Sequence, residues 1–175
     1  MKNKFLKTIG FTTLTMMMFI AASQISVYGQ ENEGKDVSSE LSANSKNRIV
    51  GVWLTTVTPR NCQTGDQVAP SFQGLITFNR GGTVAEYGAN PMAPFRSPGH
   101  GIWKLIGSHG RYSFAFSFFP LTPAGIPVGR LKVTASVRLS ENDNETASSG
   151  SFELRDPNGN LIAAGCSSAT GTRFE

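Results

Sequence analysis

From Ile49 to the end of the chain, apolar and polar side chains alternate with a period of two, and glycine, proline and asparagine interrupt the alternation at short intervals. The alternation is clearest between residues 130 and 140, where one face carries Leu131, Val133, Ala135, Val137 and Leu139. No long stretch beyond residue 48 has the period of a helix. The pattern therefore predicts an all-β domain.

The positions of the turn residues divide the domain into eight strands. They are predicted at residues 49–58, 72–79, 83–87, 101–106, 111–119, 130–140, 149–156 and 161–174. Because most connections between consecutive strands are short, the order favours an eight-stranded antiparallel up-and-down barrel that is closed by its first and last strands. A two-sheet sandwich is the main alternative.

Residues 1–29 have the organisation of a secretory signal peptide. Three lysines precede a mostly apolar, uncharged run at residues 8–22, and small residues at positions 27 and 29 precede a cleavage site before Gln30. This signal predicts a secreted or periplasmic protein. An uncleaved membrane anchor is the alternative, but the run is shorter than the roughly 20 residues that a spanning helix needs. We therefore expect no stable membrane insertion after cleavage.

Residues 30–47 are polar, so we interpret them as a flexible leader before a single barrel domain at residues 48–175. The chain has a formal net charge of +4, but the signal holds three lysines and no acidic residue, so the remainder carries +1. A basic surface for nucleic acid is therefore not expected. With 16% charged residues, 19 glycines and 9 prolines, the composition argues against a helical bundle or coiled coil.

The two cysteines, Cys62 and Cys166, are expected to form a disulfide, because exported proteins fold in an oxidising compartment. Cys62 follows the first predicted strand and Cys166 lies in the last. In a closed barrel these strands pair antiparallel, and a register set by the two cysteines places Trp53 within a diagonal step of Arg173. The bond would close a loop for which the chain-entropy model gives roughly 4–5 kcal/mol. A bond that only fastens a loop is the alternative.

The connections differ between the two ends of the predicted barrel. The links at residues 59–71, 88–100 and 120–129 are long, rich in glycine and proline, and fall at the end where the first strand finishes. Long loops on a rigid sheet are where binding residues usually collect. Since an eight-stranded barrel has room for packed side chains or for one small ligand, we expect a ligand to enter at this rim.

Gly51-Val52-Trp53 resembles the G-x-W motif of lipocalins, which opens the first strand at the closed end of an eight-stranded barrel. Arg173 resembles the arginine that packs over that tryptophan. As a topology the resemblance covers residues 49–175, and it implies structural roles for Trp53 and Arg173 and a ligand among the inward side chains above them. The family's T-D-x-x-R motif and the helix after the last strand are missing, so the chain resembles the broader group of calycin-like barrels.

Inward-facing apolar side chains are the candidate ligand contacts. They are Phe72, Ile76, Phe78, Trp103, Tyr112, Phe114, Phe116 and Phe118. Such a row can line a cavity for an apolar ligand, or it can be packed core. The first hypothesis is therefore an exported protein that carries or senses a small hydrophobic molecule inside its barrel.

The second hypothesis is a barrel isomerase or cyclase that acts on a hydrophobic substrate in the same cavity. Its polar groups would be His100, Arg96, Tyr87 and Glu86, which lie in or beside the link at residues 88–100. His100 can also be a loop residue that bonds only to the backbone. Nucleotide motifs and a nucleophilic-serine motif are missing, and two separated histidines with two bonded cysteines cannot form a zinc set. Neither a cofactor nor a metal is therefore predicted.

The third hypothesis is a secreted interaction or inhibitor module, in which the link at residues 88–100 uses Met92, Pro94 and Phe95 as exposed anchors on a packed barrel. Asn144 begins a glycosylation sequon, which has meaning only in a host that glycosylates exported proteins. Neither the oligomeric state nor the identity of a ligand follows from these residues.

Overall fold

A computed structural model describes residues 48–91, 93–107 and 110–174. The predicted signal peptide at 1–29, the predicted leader at 30–47 and the predicted anchor Met92 lie outside the described residues. The strands are β1 (Gly51–Arg60), β2 (Phe72–Phe78), β3 (Thr83–Gly88), β4 (Gly99–Leu105), β5 (Arg111–Phe118), β6 (Arg130–Leu139), β7 (Glu145–Arg155) and β8 (Leu161–Arg173). The described residues contain no helix long and apolar enough to cross a bilayer.

Each strand pairs antiparallel with the strand before it, and β8 returns to pair with β1, so the sheet closes into an up-and-down barrel. The prediction of an all-β barrel closed by its first and last strands is confirmed, and the sandwich alternative is wrong. The observed bounds differ most from the predicted ones for β7, which begins at Glu145 rather than at residue 149. Its first inward positions, Thr146 and Ser148, are polar, so the hydrophobic alternation begins only after them.

A disulfide joins Cys62 to Cys166 with the two Cα atoms 5.1 Å apart, as predicted. The register between β1 and β8 differs from the predicted one by two residues, because Cys166 lies opposite Arg60 and not opposite Cys62. The bond therefore runs diagonally, from just beyond the end of β1 to a point within β8. In this register Trp53 lies directly opposite Arg173. The sulfur atoms thus join the two strands that close the barrel.

The closed end is organised around Trp53, which is fully buried and donates its indole N–H to the Ile49 carbonyl at 2.9 Å. The guanidinium carbon of Arg173 lies 4.4 Å from the centre of the Trp53 ring. Gly51 leaves the space that this arrangement needs, since a Cβ there would lie 2.8 Å from Arg173 Nη1. Its φ of +138° also favours glycine. In the Gly51-Val52-Trp53 motif, the tryptophan therefore provides the ring that Arg173 covers, and the glycine leaves space for the guanidinium.

Arg173 also fastens the segments that meet at the closed end. It donates hydrogen bonds to three main-chain carbonyls, those of Asp143 (2.9 Å), Val50 (3.0 Å) and Arg48 (2.8 Å). The Arg48 guanidinium in turn forms an ion pair with the Asp143 carboxylate. One arginine on β8 therefore holds the entry to β1 and the β6–β7 turn in place.

Candidate ligand-binding site

The inner faces of β2, β4 and β5 carry a continuous set of aromatic rings. Phe78 meets Trp103 and Phe114 edge to face, with ring centres 6.0 and 5.6 Å apart. The rings of Phe114, Phe116 and Phe118 then stack along β5 at 6.2 and 6.4 Å. Trp103 donates its indole N–H to the Asn79 carbonyl at 2.9 Å, which satisfies its polar group within the core. These rings fill the side of the barrel formed by β2–β5.

The inner faces of β7 and β8 carry mostly small side chains. The inward positions of β7 before Phe152 are Thr146, Ser148 and Gly150, and those of β8 are Gly165, Ser167, Ala169 and Gly171. The rings on β2–β5 therefore face a wall with few large side chains. Opposite walls of the barrel therefore differ in the size of their inward side chains.

Several inward side chains of β6 and β7 are only partly buried. Leu131, Val133 and Ala135 share the inner face of β6 with Val137 and Leu139, which are buried in the core. On β7, Phe152 and Leu154 face inward and are also partly exposed. Because the sheet is closed, solvent reaches these inner faces only through the barrel itself. The core is therefore fully buried toward the closed end, and the partly exposed inward side chains lie toward the opposite end, which we call the rim.

An ion pair between Glu86 and Arg96 lies inside the barrel near the rim. The Arg96 guanidinium donates to both carboxylate oxygens of Glu86, and its Nε donates to the Ser97 carbonyl at 3.2 Å. The Glu86 side chain is only 12% exposed and the Arg96 side chain only 4%. The guanidinium carbon of Arg96 also lies 3.4 Å from the centre of the Phe118 ring. A charged pair is thus packed against the end of the aromatic row.

Two glycines make room for this ion pair. A Cβ at Gly88 would lie 2.9 Å from Glu86 Oε1, and one at Gly99, which is opposite Glu86 on β4, would lie 2.8 Å from Oε2. Burial raises the pKa of the Glu86 carboxyl above its ordinary value, while the hydrogen bonds and the charge of Arg96 oppose the rise. The carboxyl group therefore keeps its proton to a higher pH than a solvated glutamate does.

Two links at the rim form a small sheet that we call the flap, made of residues 93–97, 119–121 and 126–128. Ser97 donates its amide to the Phe119 carbonyl at 3.0 Å, and Leu121 donates to the Phe95 carbonyl at 2.9 Å. Val128 closes the third segment by donating to the Pro120 carbonyl at 2.9 Å. Since Arg96 belongs to the flap and Glu86 to β3, their ion pair ties the flap to the barrel wall.

The structure gives a position to every candidate site residue named from the sequence except Met92, which lies outside the described residues. The eight candidate ligand contacts all lie on the inner faces of β2, β4 and β5: Phe72, Ile76, Phe78, Trp103, Tyr112, Phe114, Phe116 and Phe118. Of the four candidate polar groups, Glu86 and Arg96 are in contact, and the half-exposed Tyr87 ring lies 5.8 Å from Arg96. His100 is exposed on the outer face of β4, in register with Ser117. Pro94 and Phe95 are exposed on the flap.

Sequence reasoning missed the wall of small residues on β7 and β8 and the pairing of the flap segments. The alternation of small residues on β8 carries little hydrophobic contrast, so nothing in the pattern distinguished Gly165 or Ala169 from outward positions. The flap segments are rich in proline and have no period at all. Only the isolated charge of Arg96, in a link with no other charged residue, could have pointed to a partner such as Glu86.

Two grooves of about 510 Å³ each lie on the outer wall. One is lined by outward side chains of β1, β7 and β8, such as Thr56, Ala147 and Thr170, and the other surrounds the disulfide. Both are shallow, and no aromatic residue lines either of them. Within the described residues no group of three or more metal-ligating side chains comes together.

A comparison with protein-family models and with curated proteins found no match. The class of protein therefore rests on the fold, which is an eight-stranded, closed, antiparallel β-barrel compatible with a lipocalin-like fold. The disulfide within it is consistent with a secreted or periplasmic protein.

Proposed function

We propose that this protein is exported and holds a small apolar molecule inside its barrel, in the manner of a lipocalin-like carrier or sensor. The observation that carries the proposal is the partial exposure of side chains that face the inside of a closed sheet, above all Leu131, Val133 and Phe152. Apolar groups left in contact with water inside a barrel bind an apolar ligand favourably, because the ligand removes that surface from water.

The ligand would lie between the aromatic row of β5 and the small side chains of β7 and β8. Phe116 and Phe118 offer ring faces on one side, and Val133 and Phe152 offer apolar contacts beside them. The closed end is blocked by Trp53 and the rings around it, so the ligand would enter at the rim. A disulfide beside the rim supports a function outside the reducing cytoplasm.

Filling the interior tests the proposal. Val133→Trp places an indole on the inner face of β6, whereas Thr134→Trp places the same group on the exposed outer face of the next position. We expect the wild type and Thr134→Trp to bind an apolar fluorescent dye saturably after delipidation. Val133→Trp should lose at least about tenfold in affinity, since the dye loses its apolar contacts. Circular dichroism and melting temperature confirm that both variants fold.

A failure of this proposal has a clear signature. If the delipidated wild type shows no saturable dye site, or if Val133→Trp and Thr134→Trp bind the dye equally, the molecule is not held inside the barrel. Native mass spectrometry of the protein from its own source then identifies any ligand bound elsewhere, because an intact complex reports the mass of the molecule it carries.

The buried Glu86 supports a second candidate function, an isomerase or cyclase that acts on a hydrophobic substrate. A carboxyl with a raised pKa beside an apolar interior can exchange a proton at a higher pH than a solvated glutamate does. Incubating the ligand recovered from the wild type with fresh wild type and with Glu86→Gln separates the two functions. A carrier returns the ligand unchanged from both proteins, whereas an enzyme converts it only with the wild type.

A further inference from the structure

The ion pair of Glu86 and Arg96 brings charge into the barrel near the rim. Among the inward strand positions that the structure describes, only Glu86 and Arg173 have a charged side chain, and Arg173 lies at the closed end. Glu86 faces inward with Val84 on β3 and lies opposite Ile76 on β2. Arg96 reaches it from the flap. A ligand that enters at the rim therefore meets this charged pair.

The surroundings of the ion pair are mostly apolar. The backbone pairing of the flap segments places Ile126 and Val128 on the same face of the flap as Arg96, and they are 62% and 40% exposed. Toward the interior, Gly99 leaves a space that both the carboxylate and a ring approach. A Cβ there would lie 2.8 Å from Oε2 of the carboxylate and 2.9 Å from Phe116 Cδ2. The carboxylate is therefore next to the aromatic row.

The Arg96 guanidinium is already engaged on every nitrogen. Its Nε donates to the Ser97 carbonyl at 3.2 Å, its Nη1 donates to Glu86 Oε1 at 3.3 Å, and its Nη2 donates to Glu86 Oε2. The Phe118 ring covers its plane, and only 4% of the side chain is exposed. A ligand carboxylate would therefore have to displace Glu86 to reach this cation, and the charge of Glu86 would repel it.

The Glu86 carboxylate, by contrast, can accept further hydrogen bonds. Each of its oxygens accepts one bond from Arg96, whereas a carboxylate has about four acceptor positions. The side chain is 12% exposed and faces inward, so a ligand inside the barrel can reach it. Because the ion pair has no net charge, it would not compensate a charged ligand group for the water that the group loses. A neutral donor such as a hydroxyl group fits it best.

We propose that the Glu86 carboxylate accepts a hydrogen bond from the hydroxyl group of an apolar alcohol, and that the barrel selects such alcohols over apolar carboxylates. This inference rests on the proposed function and names the class of its ligand. Arg96 is a positioning residue, because it fixes the carboxylate and its own cation is withheld from anionic ligands. The apolar part of the alcohol lies against the rings of Phe116 and Phe118.

Displacement of an apolar dye by three probes of equal carbon number tests the class of ligand. The probes are decanol, its isomer methyl nonyl ether, which cannot donate a hydrogen bond, and decanoate, which is ionised at neutral pH. Each probe displaces N-phenyl-naphthylamine from the delipidated full chain. The wild type should bind decanol at least about tenfold more tightly than the ether or decanoate, since only the alcohol donates to the carboxylate.

Variants of the ion pair test the residues. Glu86→Ala combined with Arg96→Met leaves no unpaired charge in the barrel, and it should bind decanol and the ether with equal affinity. Glu86→Ala alone releases the guanidinium, so this variant should prefer decanoate to decanol at least about tenfold. Glu153→Ala combined with Arg155→Met removes an exposed ion pair on β7 and is the matched control, which should keep the wild-type order of affinities. Circular dichroism and melting temperature confirm that the variants fold.

The results that overturn this inference differ from those that overturn the proposed function. A wild type that binds the dye but binds decanol no better than the ether, or that prefers decanoate, refutes the alcohol alone. A preference for decanol that persists in the double variant of Glu86 and Arg96 refutes the role of this carboxylate. A wild type with no saturable dye site refutes the proposed function, and the inference is refuted with it.

Discussion

The guanidinium of Arg173, at the end of the last strand, covers the ring of Trp53, at the beginning of the first, with 4.4 Å between the guanidinium carbon and the ring centre. The two residues are directly opposite each other in the β1–β8 pairing, so their contact lies across the seam that closes the barrel. The same guanidinium donates hydrogen bonds to three main-chain carbonyls. Closure and burial of the tryptophan therefore depend on one side chain.

Arg173→Ala should lower the free energy of unfolding by about 3 kcal/mol, because three carbonyls lose a charged donor and the Trp53 ring loses its cover. Urea unfolding followed by tryptophan fluorescence measures the loss, and a red shift of the native spectrum reports water at Trp53. Arg80→Ala, in the exposed β2–β3 turn, is the control and should change stability by less than about 0.5 kcal/mol. Equal effects of the two substitutions would contradict the role given to Arg173.

Replacing both cysteines by serine should lower the free energy of unfolding by about 4–5 kcal/mol, since Cys62 and Cys166 are 104 residues apart in sequence. The loss comes mainly from the greater freedom of the unfolded chain, so the folded spectrum should be unchanged. Ser151→Ala, opposite Cys166 on β7, is a control for changes of polarity at this site. A loss below about 1 kcal/mol would show that strand pairing alone restrains the two ends.

Glu86 should make stability depend on pH. Since its pKa in the folded protein is raised above the ordinary 4.5, the native state binds more protons than the unfolded state between the two values. The free energy of unfolding of the wild type, minus that of Glu86→Gln, should therefore fall as the pH rises from 4.5 through the raised pKa. Arg96 contacts position 86 in both proteins, so its own titration largely cancels in the difference. A difference that rises with pH over this interval would contradict the burial of Glu86.

Gly88→Ala should destabilise the barrel by about 1–3 kcal/mol, because the added methyl group would lie 2.9 Å from Glu86 Oε1 and 3.2 Å from Arg96 Nη1. The same substitution in a Glu86→Ala background should cost less, since the carboxylate it would displace is gone. Urea unfolding of the two single variants and the double variant gives the coupling between these positions. Additive effects would mean that Gly88 is needed for a reason other than space for the ion pair.

The fold could be predicted from the sequence because apolar and polar residues alternate clearly in the strands that carry large apolar side chains. On β6, five inward apolar positions gave both the strand and its orientation. The pairing of β1 with β8 followed from the up-and-down order of the strands. The register taken from the two cysteines was wrong by two residues, because Cys62 lies beyond the strand and bonds diagonally. An antiparallel register is fixed by backbone pairing, and a disulfide near the end of a strand leaves that pairing some freedom.

The site could be predicted only where it is made of large side chains. The aromatic row on β5 was recognised from its spacing, whereas the opposing wall was missed because residues such as Gly165 and Ser167 carry almost no hydrophobic signal. The partnership of Glu86 and Arg96 depends on how a proline-rich link folds back over the rim, and that path has no local pattern.

In the part of the chain that the structure describes, every one of the eight strands has a hydrogen-bonded neighbour on both sides. Sheets that end in unpaired strands expose rows of amide and carbonyl groups that can recruit another polypeptide and grow into aggregates. The eight strands that the structure describes offer no such template, so the closed wall of the barrel cannot grow by adding a strand at its edge.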